Sequence, residues 1–291
     1  MKDVSALSLS YVREWNKHND ARYRRLSNMD VTIAVTQINC YLEDVRRNLQ
    51  QIERIVRKMR RKNVDIACFP EFATTGYSLG KNWRKFAEHI PGPTTDRIGE
   101  MAREYGHYLI IGLPELDSGR VFDSTVLVSP REEVVGIYRK VHLWGTERKY
   151  LTPGEKFSVF KTDFAKVGMG ICYDLEFPES ARVMAIQGAQ IIFFPSAEMK
   201  PLQTIVTRYL QTRASENQVY VAFANRVGRE GATSFFGGSL IISPDSRILA
   251  SCSGTESVAI AKLDLKKLTR RRTEFPYLKH RIPMAYTPLG I

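Results

Sequence analysis

The chain has 291 residues, 43% hydrophobic, 25% charged and 10% aromatic, which excludes a disordered, collagenous or disulfide-framework protein and allows one large α/β domain. Its 43 basic side chains outnumber 31 acidic ones, for a formal charge of +12. Much of the excess lies in two runs, 46–62 and 262–281, which carry no base-reading motif and read as solvated faces, so no nucleic-acid partner is expected.

Residues 1–29 are polar, basic and weakly periodic, and read as an N-terminal arm. They hold no apolar core for a signal peptide, and no segment elsewhere approaches about 18 uninterrupted apolar residues, so a cytoplasmic protein without membrane contact is expected. From residue 30 short apolar strands alternate with amphipathic helices: VTIAVTQI, a helix over 44–61, VDIACF, a helix over 95–105, then YLIIGLP. This alternation is the mark of an α/β fold. VFDSTVLVSP, EVVGIYRKVHL and FSVFKT then follow one another without a helix, which predicts an antiparallel meander. Alternation resumes with KVGMGIC, a helix over 178–188, QIIFFPS, a helix over 202–216 and QVYVAFANR, and three strands close the body at GGSLIIS, RILASCS and SVAIAKL. The domain is placed at 30–265 and a C-terminal tail at 266–291.

Cys40, Cys68, Cys172 and Cys252 are widely spaced, with no C-x-x-C and no H-E-x-x-H. Neither a metal site nor a disulfide framework is expected, and free thiols fit a reducing compartment. There is no G-x-S-x-G elbow and no phosphate loop, and Gly168 and Gly170 lack the third glycine of a dinucleotide fingerprint, so no cofactor is expected.

Three residues in or just after strands can do chemistry. Cys172 sits where K-V-G-M-G-I gives way to a helix, whose dipole is expected to lower the thiol pKa. Glu71 lies at the mouth of V-D-I-A-C-F-P, where a carboxylate is desolvated. Lys140 stands in E-V-V-G-I-Y-R-K-V-H-L on the opposite parity from Ile137, Arg139, Val141 and Leu143. Taken singly, each has a commoner reading: a buried strand end, a turn carboxylate, an exposed strand lysine. His142 shares the parity of Lys140 and is expected to pack or orient rather than act as a base.

Together these segments carry a resemblance. P-E-F-A-T-T-G-Y around Glu71, Y-R-K-V-H-L-W-G-T-E around Lys140 and Glu147, and G-I-C-Y-D-L-E-F-P-E around Cys172 resemble, in order, the signature segments of the nitrilase superfamily of carbon–nitrogen hydrolases. T-P-G-E-K-F, P-S-A-E-M, R-A-S-E-N-Q and A-N-R-V-G extend the likeness over about 31–265. The resemblance implies an α-β-β-α sandwich of two mixed sheets flanked by helices, no metal or organic cofactor, and assembly into at least a homodimer, with the tail packing across the partner. It also implies catalysis by Glu71, Lys140 and Cys172, with Glu147 positioning substrate. Hydrolysis of an amide needs a nucleophile, a base, an oxyanion partner and a proton donor. Cys172, Glu71, and Lys140 with the Tyr173 N–H can fill these roles through a thioester intermediate.

Residues after the nucleophile help to line the acyl pocket in this superfamily. In omega-amidase-like members the segment resembles C-Y-D-x-R, whose arginine can hold a substrate carboxylate; here Glu176 stands in that place, disfavouring an anionic tail and favouring an ammonium. Pairing of Glu176 with Arg182 is the competing reading. Glu198 and Ala197 in P-S-A-E-M are placed at the same mouth, with Tyr77, Trp144 and Tyr173 as its aromatic wall. The substrate expected is a small neutral or cationic aliphatic amide. An N-carbamoyl amine hydrolase and a nitrilase share the same residues and stay open, as does, from another class, a binding protein that uses a basic surface.

Overall fold

The computed structural model describes residues 30–131 and 134–289; the N-terminal arm lies outside them. Two six-stranded mixed sheets stack face to face and a helical layer covers each outer face. The first sheet contains β1 (Asp30–Gln37), β2 (Ile66–Cys68), β3 (Tyr108–Asp117), β4 (Arg120–Val128), β5 (Gly136–Arg139) and β14 (Ser257–Asp264), in the order β14-β1-β2-β3-β4-β5. β6 (Ser158–Lys161), β7 (Lys166–Met169), β8 (Ile191–Ser196), β9 (Tyr220–Asn225), β12 (Leu240–Ile242) and β13 (Ile248–Ser251) form the second, in the order β13-β12-β9-β8-β7-β6. β10 (Val227–Glu230) and β11 (Thr233–Phe236) make a separate hairpin. β1-β2-β3 and β7-β8-β9 are parallel runs, and antiparallel strands complete each sheet.

Period-two side-chain alternation explains the layering, since successive residues of a strand face opposite sides. Val31, Ile33 and Val35 of β1 meet Val167, Met169, Ile191 and Phe193 between the sheets. Ala34, Ala67, Leu109 and Ile111 face outward onto α1 (Val45–Met59) and α2 (Pro93–Tyr105) through Ile52, Val56, Ile98 and Met101. Ile192, Phe194, Val221 and Phe223 do the same against α3 (Pro178–Ile186) and α4 (Gln203–Asn217). Central strands buried on both faces therefore read as continuous apolar runs.

Three sequence expectations change. β6 leaves the predicted meander and pairs with β7 in the second sheet, because a run of alternating apolar residues does not encode which sheet receives it. The predicted strand through Lys140 ends at Arg139, so strand parity orients neither Lys140 nor His142. The β10–β11 hairpin fills the stretch between QVYVAFANR and GGSLIIS, to which the sequence reading assigns no element, since Gly228, Arg229, Glu230 and Gly231 interrupt its apolar pattern. Beyond β14, α5 (Leu265–Glu274) adds a helix whose Leu265 and Leu268 enter the core between the sheets. Arg272, from the second basic run, anchors it by donating to the Gln218 and Ala189 carbonyls at 3.0 and 2.7 Å. Among the described residues no helix is long and apolar enough to cross a membrane.

Candidate active site

The site forms beyond the carboxyl ends of β2, β5, β7 and β8, where α/β sheets commonly open a crevice. Glu71 follows β2 in a tight turn pressed onto Gly112 of β3: a Cβ there would lie 2.7 Å from the Phe72 nitrogen and 2.9 Å from the Pro70 oxygen. Asn48 of α1 steadies the next stretch by donating to the Thr74 carbonyl at 3.0 Å. Lys140 comes directly off β5, its N–H bonded to the Asp123 carbonyl and its carbonyl to the Gly154 N–H, at 2.8 and 2.7 Å.

Glu71, Asp123, Lys140 and Glu147 are all fully buried. Lys140 Nζ donates to Glu71 Oε1 at 2.6 Å and to Glu147 Oε1 at 2.9 Å, and lies 3.5 Å from Asp123 Oδ2. Carboxyl oxygens of the three acids come within 4.8 Å of one another, a spacing a metal ion could also use, but the Lys140 ammonium sits among them. Burial alone would favour loss of the lysine proton. Glu71 and Glu147, with Cys172 and Asp123, outweigh it and hold Lys140 well above its ordinary pKa. Glu147 also accepts from Tyr77 Oη at 2.6 Å and the Trp144 N–H at 2.8 Å. The neighbouring Arg148 is turned elsewhere, its Nε donating to the Leu143 carbonyl at 3.0 Å.

Cys172 adopts a left-handed backbone conformation, φ +44°, which a side-chain-bearing residue holds at a cost of roughly 1–3 kcal/mol and which recurs at functional turns. Asp174 imposes it. Its Oδ2 accepts from the Ile171 N–H at 2.9 Å and Tyr138 Oη at 2.6 Å. Its Oδ1 accepts from the His142 N–H at 3.0 Å and meets His142 Nδ1 at 2.8 Å. One buried carboxylate thus ties the cysteine turn to the segment after Lys140. His142 stacks on Phe177 at 3.6 Å between ring centroids, an orienting position rather than one facing the thiol.

The expected lowering of the Cys172 thiol by a helix dipole is overturned. Burial, then the charges of Glu198 and Glu71, push the thiol well above its ordinary pKa, while Lys140 and the Ala197 N–H only partly offset them. A short 3₁₀ turn, Cys172–Glu176, separates the residue from α3, so no α-helix N-terminus points at the sulfur.

Cys172 opens into a pocket of about 280 Å³ lined also by Tyr77, Trp144, Tyr173, Glu176, Ala197 and Glu198, and by Met199, Lys200, Pro201 and Leu202. Larger hollows exist, such as one of about 450 Å³ beside Gln51, Arg54 and Lys58, but none of the cluster described above reaches it. Trp144 meets Tyr173 edge-on at 4.9 Å. Glu198 is buried, and burial, reinforced by the charge of Glu176, raises it to about 7. Burial also raises Glu176, against the pull of Arg213. The alternative pairing of Glu176 with Arg182 does not occur among the described residues; Arg213 instead donates to the Glu176 backbone carbonyl at 2.8 Å.

Several supporting residues escape a reading of the sequence. Asp123 is one, because an acid within a strand ordinarily faces solvent. Glu230 is another: it accepts from the Ser78 N–H at 2.7 Å and pairs with the fully buried Arg226, fixing the start of the Tyr77 segment. Pro201 and Leu202, which complete the pocket wall, lack any chemical signature. Arg226 stands within the A-N-R-V-G segment, which is the available signal for the Glu230 brace.

Known proteins share this architecture. The family model for carbon-nitrogen hydrolases matches residues 32–273. A nitrilase of Pyrococcus abyssi is 36% identical over 247 residues, covering 83% of this chain and 93% of its own. The crystal structure of Saccharomyces cerevisiae Nit3, a member of branch 10 of the nitrilase superfamily, superposes with a TM-score of 0.80 at 26% identity over 85% of this chain and 94% of its own. A mutant of the amidase from Nesterenkonia sp. AN1, showing the result of Michael addition of acrylamide at its active-site cysteine, gives 0.76 at 26% identity over 84% and 98%. The chain belongs to the carbon–nitrogen hydrolase family of the nitrilase superfamily and is an enzyme of that class.

Proposed function

We propose that this enzyme hydrolyses a small neutral or cationic aliphatic amide to a carboxylic acid and ammonia, with Cys172 as nucleophile. The observation that carries the reading is the opening of the Cys172 thiol into a small pocket beside the buried Glu71–Lys140–Glu147 cluster. Glu71 takes the thiol proton as sulfur attacks the amide carbon. The developing oxyanion is held by the Lys140 ammonium and by the N–H of Tyr173, which lies at the open start of the Cys172–Glu176 turn where a helical N–H has no partner within the turn. As the C–N bond breaks, Glu71 returns the proton to departing nitrogen. Water, losing a proton to the same carboxylate, then attacks the thioester, releasing the acid and restoring the thiol. Glu147, held by Tyr77 and Lys140, positions the amide. The Nesterenkonia amidase, modified at its active-site cysteine, supports the choice of nucleophile.

Substrate preference follows from the mouth. Two acids, Glu176 and Glu198, face one cation, Lys200, within a pocket otherwise walled by Tyr77, Trp144, Tyr173 and apolar groups. An anionic tail meets net repulsion there and an ammonium meets attraction. The test is ammonia release from aliphatic amides, amino-amides, N-carbamoyl amines, omega-amides of dicarboxylic acids and nitriles. Turnover of neutral and amino-substituted amides, lost in Cys172→Ala, is expected. Turnover confined to nitriles, N-carbamoyl amines or anionic omega-amides would overturn the substrate assignment, and full activity in Cys172→Ala would overturn the nucleophile.

A further inference from the structure

Four ionisable groups crowd one dry volume: Glu71 after β2, Asp123 on β4, Lys140 after β5 and Glu147 in the following turn, with the Cys172 thiol close by. Three carboxylates against one ammonium would leave two uncompensated negative charges out of reach of water, which a protein interior does not sustain. One acid must carry a proton, and the donors available to each identify it. Burial raises Glu147, but it accepts from Tyr77 Oη, the Trp144 N–H and Lys140 Nζ, the set of donors that an ionised carboxylate needs and that Asp123 lacks. Glu71 accepts the shortest bond from Lys140, at 2.6 Å. Asp123 accepts no hydrogen bond: the Lys140 ammonium stands 3.5 Å from its Oδ2, an ion-pair distance without hydrogen-bond geometry, and both Asp123 carboxyl oxygens, like Glu71 Oε2, are buried without a hydrogen-bond partner. Two orphaned sets of acceptors side by side are satisfied at once by a proton between them.

We propose that Asp123 is a neutral carboxylic acid that donates a hydrogen bond to the free oxygen of Glu71, making it a positioning residue for the base. This deepens the assignment of Glu71 given above and rests on it. Lys140 then fixes one oxygen of Glu71 and Asp123 the other, so the carboxylate is oriented from both sides while the buried cluster keeps a single net negative charge. Burial and the nearby Glu71 charge hold Asp123 well above the ordinary carboxylate range, in keeping with this protonation state. Asp123 takes no part in bond making; it acts through Glu71.

The test combines infrared spectroscopy and kinetics on the full chain. With ¹³C-labelled aspartate, a protonated-carboxyl C=O band that shifts with the label is expected at pH 8 in the wild type and absent in Asp123→Asn. The carboxamide of D123N retains an N–H donor of similar shape, so this variant is expected to keep kcat/KM within about threefold, whereas Asp123→Ala, which leaves Glu71 Oε2 unpaired, loses about 10- to 100-fold. D123A is also expected to move the acid limb of the rate profile to higher pH, a change that packing damage alone does not produce. Absence of the labelled band from the wild type, or D123N as impaired as D123A, would overturn the proposal, and the band decides it even if D123A does not fold. The band is read without turnover, so a fully active Glu71→Gln would refute the base assignment while leaving the protonation of Asp123 separately decided.

Discussion

At the scale of single residues, the site sets buried charge against stability, and Glu198 shows the sign of the exchange. Its carboxyl rises from an ordinary 4.5 to about 7, so the folded state binds that proton more tightly than the unfolded chain does. The associated stability is complete below about pH 4.5 and lost as pH rises through about 7. Glu198→Gln is therefore expected to leave stability near pH 4 unchanged and to raise it at pH 8.5 by up to about 3 kcal/mol, read from denaturant midpoints. The same variant should lose preference for cationic substrates. In the wild type the kcat/KM of an amino-amide relative to its neutral isostere is expected to climb between pH 6 and 8 as Glu198 ionises, and the climb should vanish in the variant. A flat ratio in the wild type would remove Glu198 from substrate recognition.

Glu176 makes the complementary case. It shares the mouth with Glu198 but is partly open to water, so its effect is on selectivity rather than stability. Glu176→Arg is expected to shift relative kcat/KM by at least about tenfold from amino-amides toward anionic omega-amides, a difference of about 1.4 kcal/mol in transition-state binding. Unchanged relative values for the two substrates would show that the side chain does not face the bound tail.

At the scale of elements, strands place the chemistry and the turns after them aim it. Gly112 lets the Glu71 turn lie directly on β3, and the atoms a Cβ would meet are backbone atoms of Pro70, Glu71 and Phe72, which cannot swing aside as a side chain would. Gly112→Ala is expected to fold, with a loss of about 1–3 kcal/mol from overpacking, and to lose roughly tenfold or more in kcat because a misplaced base is costly. Circular dichroism together with kcat tests it; unchanged kcat would mean the turn tolerates displacement.

These placements are legible where an apolar strand ends in a polar residue. Glu71 and Cys172 stand out because each follows an apolar strand, whereas Lys140 alone reads as an exposed strand lysine and it and Glu147 are picked out only by the resemblance of their segment to the family's. Asp123 does not stand out, because in Phe122-Asp123-Ser124-Thr125 it resembles the polar side of a half-exposed strand, and its burial arises only when β5 and the Glu71 turn close over β4. The partners of Asp174 are hidden for a related reason: a single carboxylate gathers groups from Tyr138 to Ile171, contacts that no local pattern encodes. The helix-dipole expectation for Cys172 fails because it uses the nearest helix and ignores desolvation.

At the scale of the molecule, the sandwich leaves an apolar C-terminal segment uncovered. Phe275, Tyr277, Ile282, Met284 and Leu289 are 45%, 48%, 64%, 79% and 62% exposed, more apolar exposure within fifteen residues than singly scattered side chains give. We propose that a second copy of the chain covers it. Sedimentation of the full chain is expected to give a dimer or larger assembly, and removal of residues after Glu274 to weaken it; a monomer at micromolar concentration would contradict the proposal. Sheet membership and layering follow from burial on both faces of β1–β3 and β7–β9, whereas the assignment of β6 to the second sheet depends on tertiary pairing that its own four residues do not specify.

If Cys172 carries the acyl group between ammonia release and hydrolysis, the covalent enzyme can be caught, and acid-quenched intact-mass analysis during turnover of an amino-amide looks for it directly. The expected result is an adduct equal to the substrate mass less ammonia, located on the peptide containing Cys172 and absent from Cys172→Ala. Release of ammonia with Cys172 unmodified at every time point, or an adduct on another residue, would contradict it.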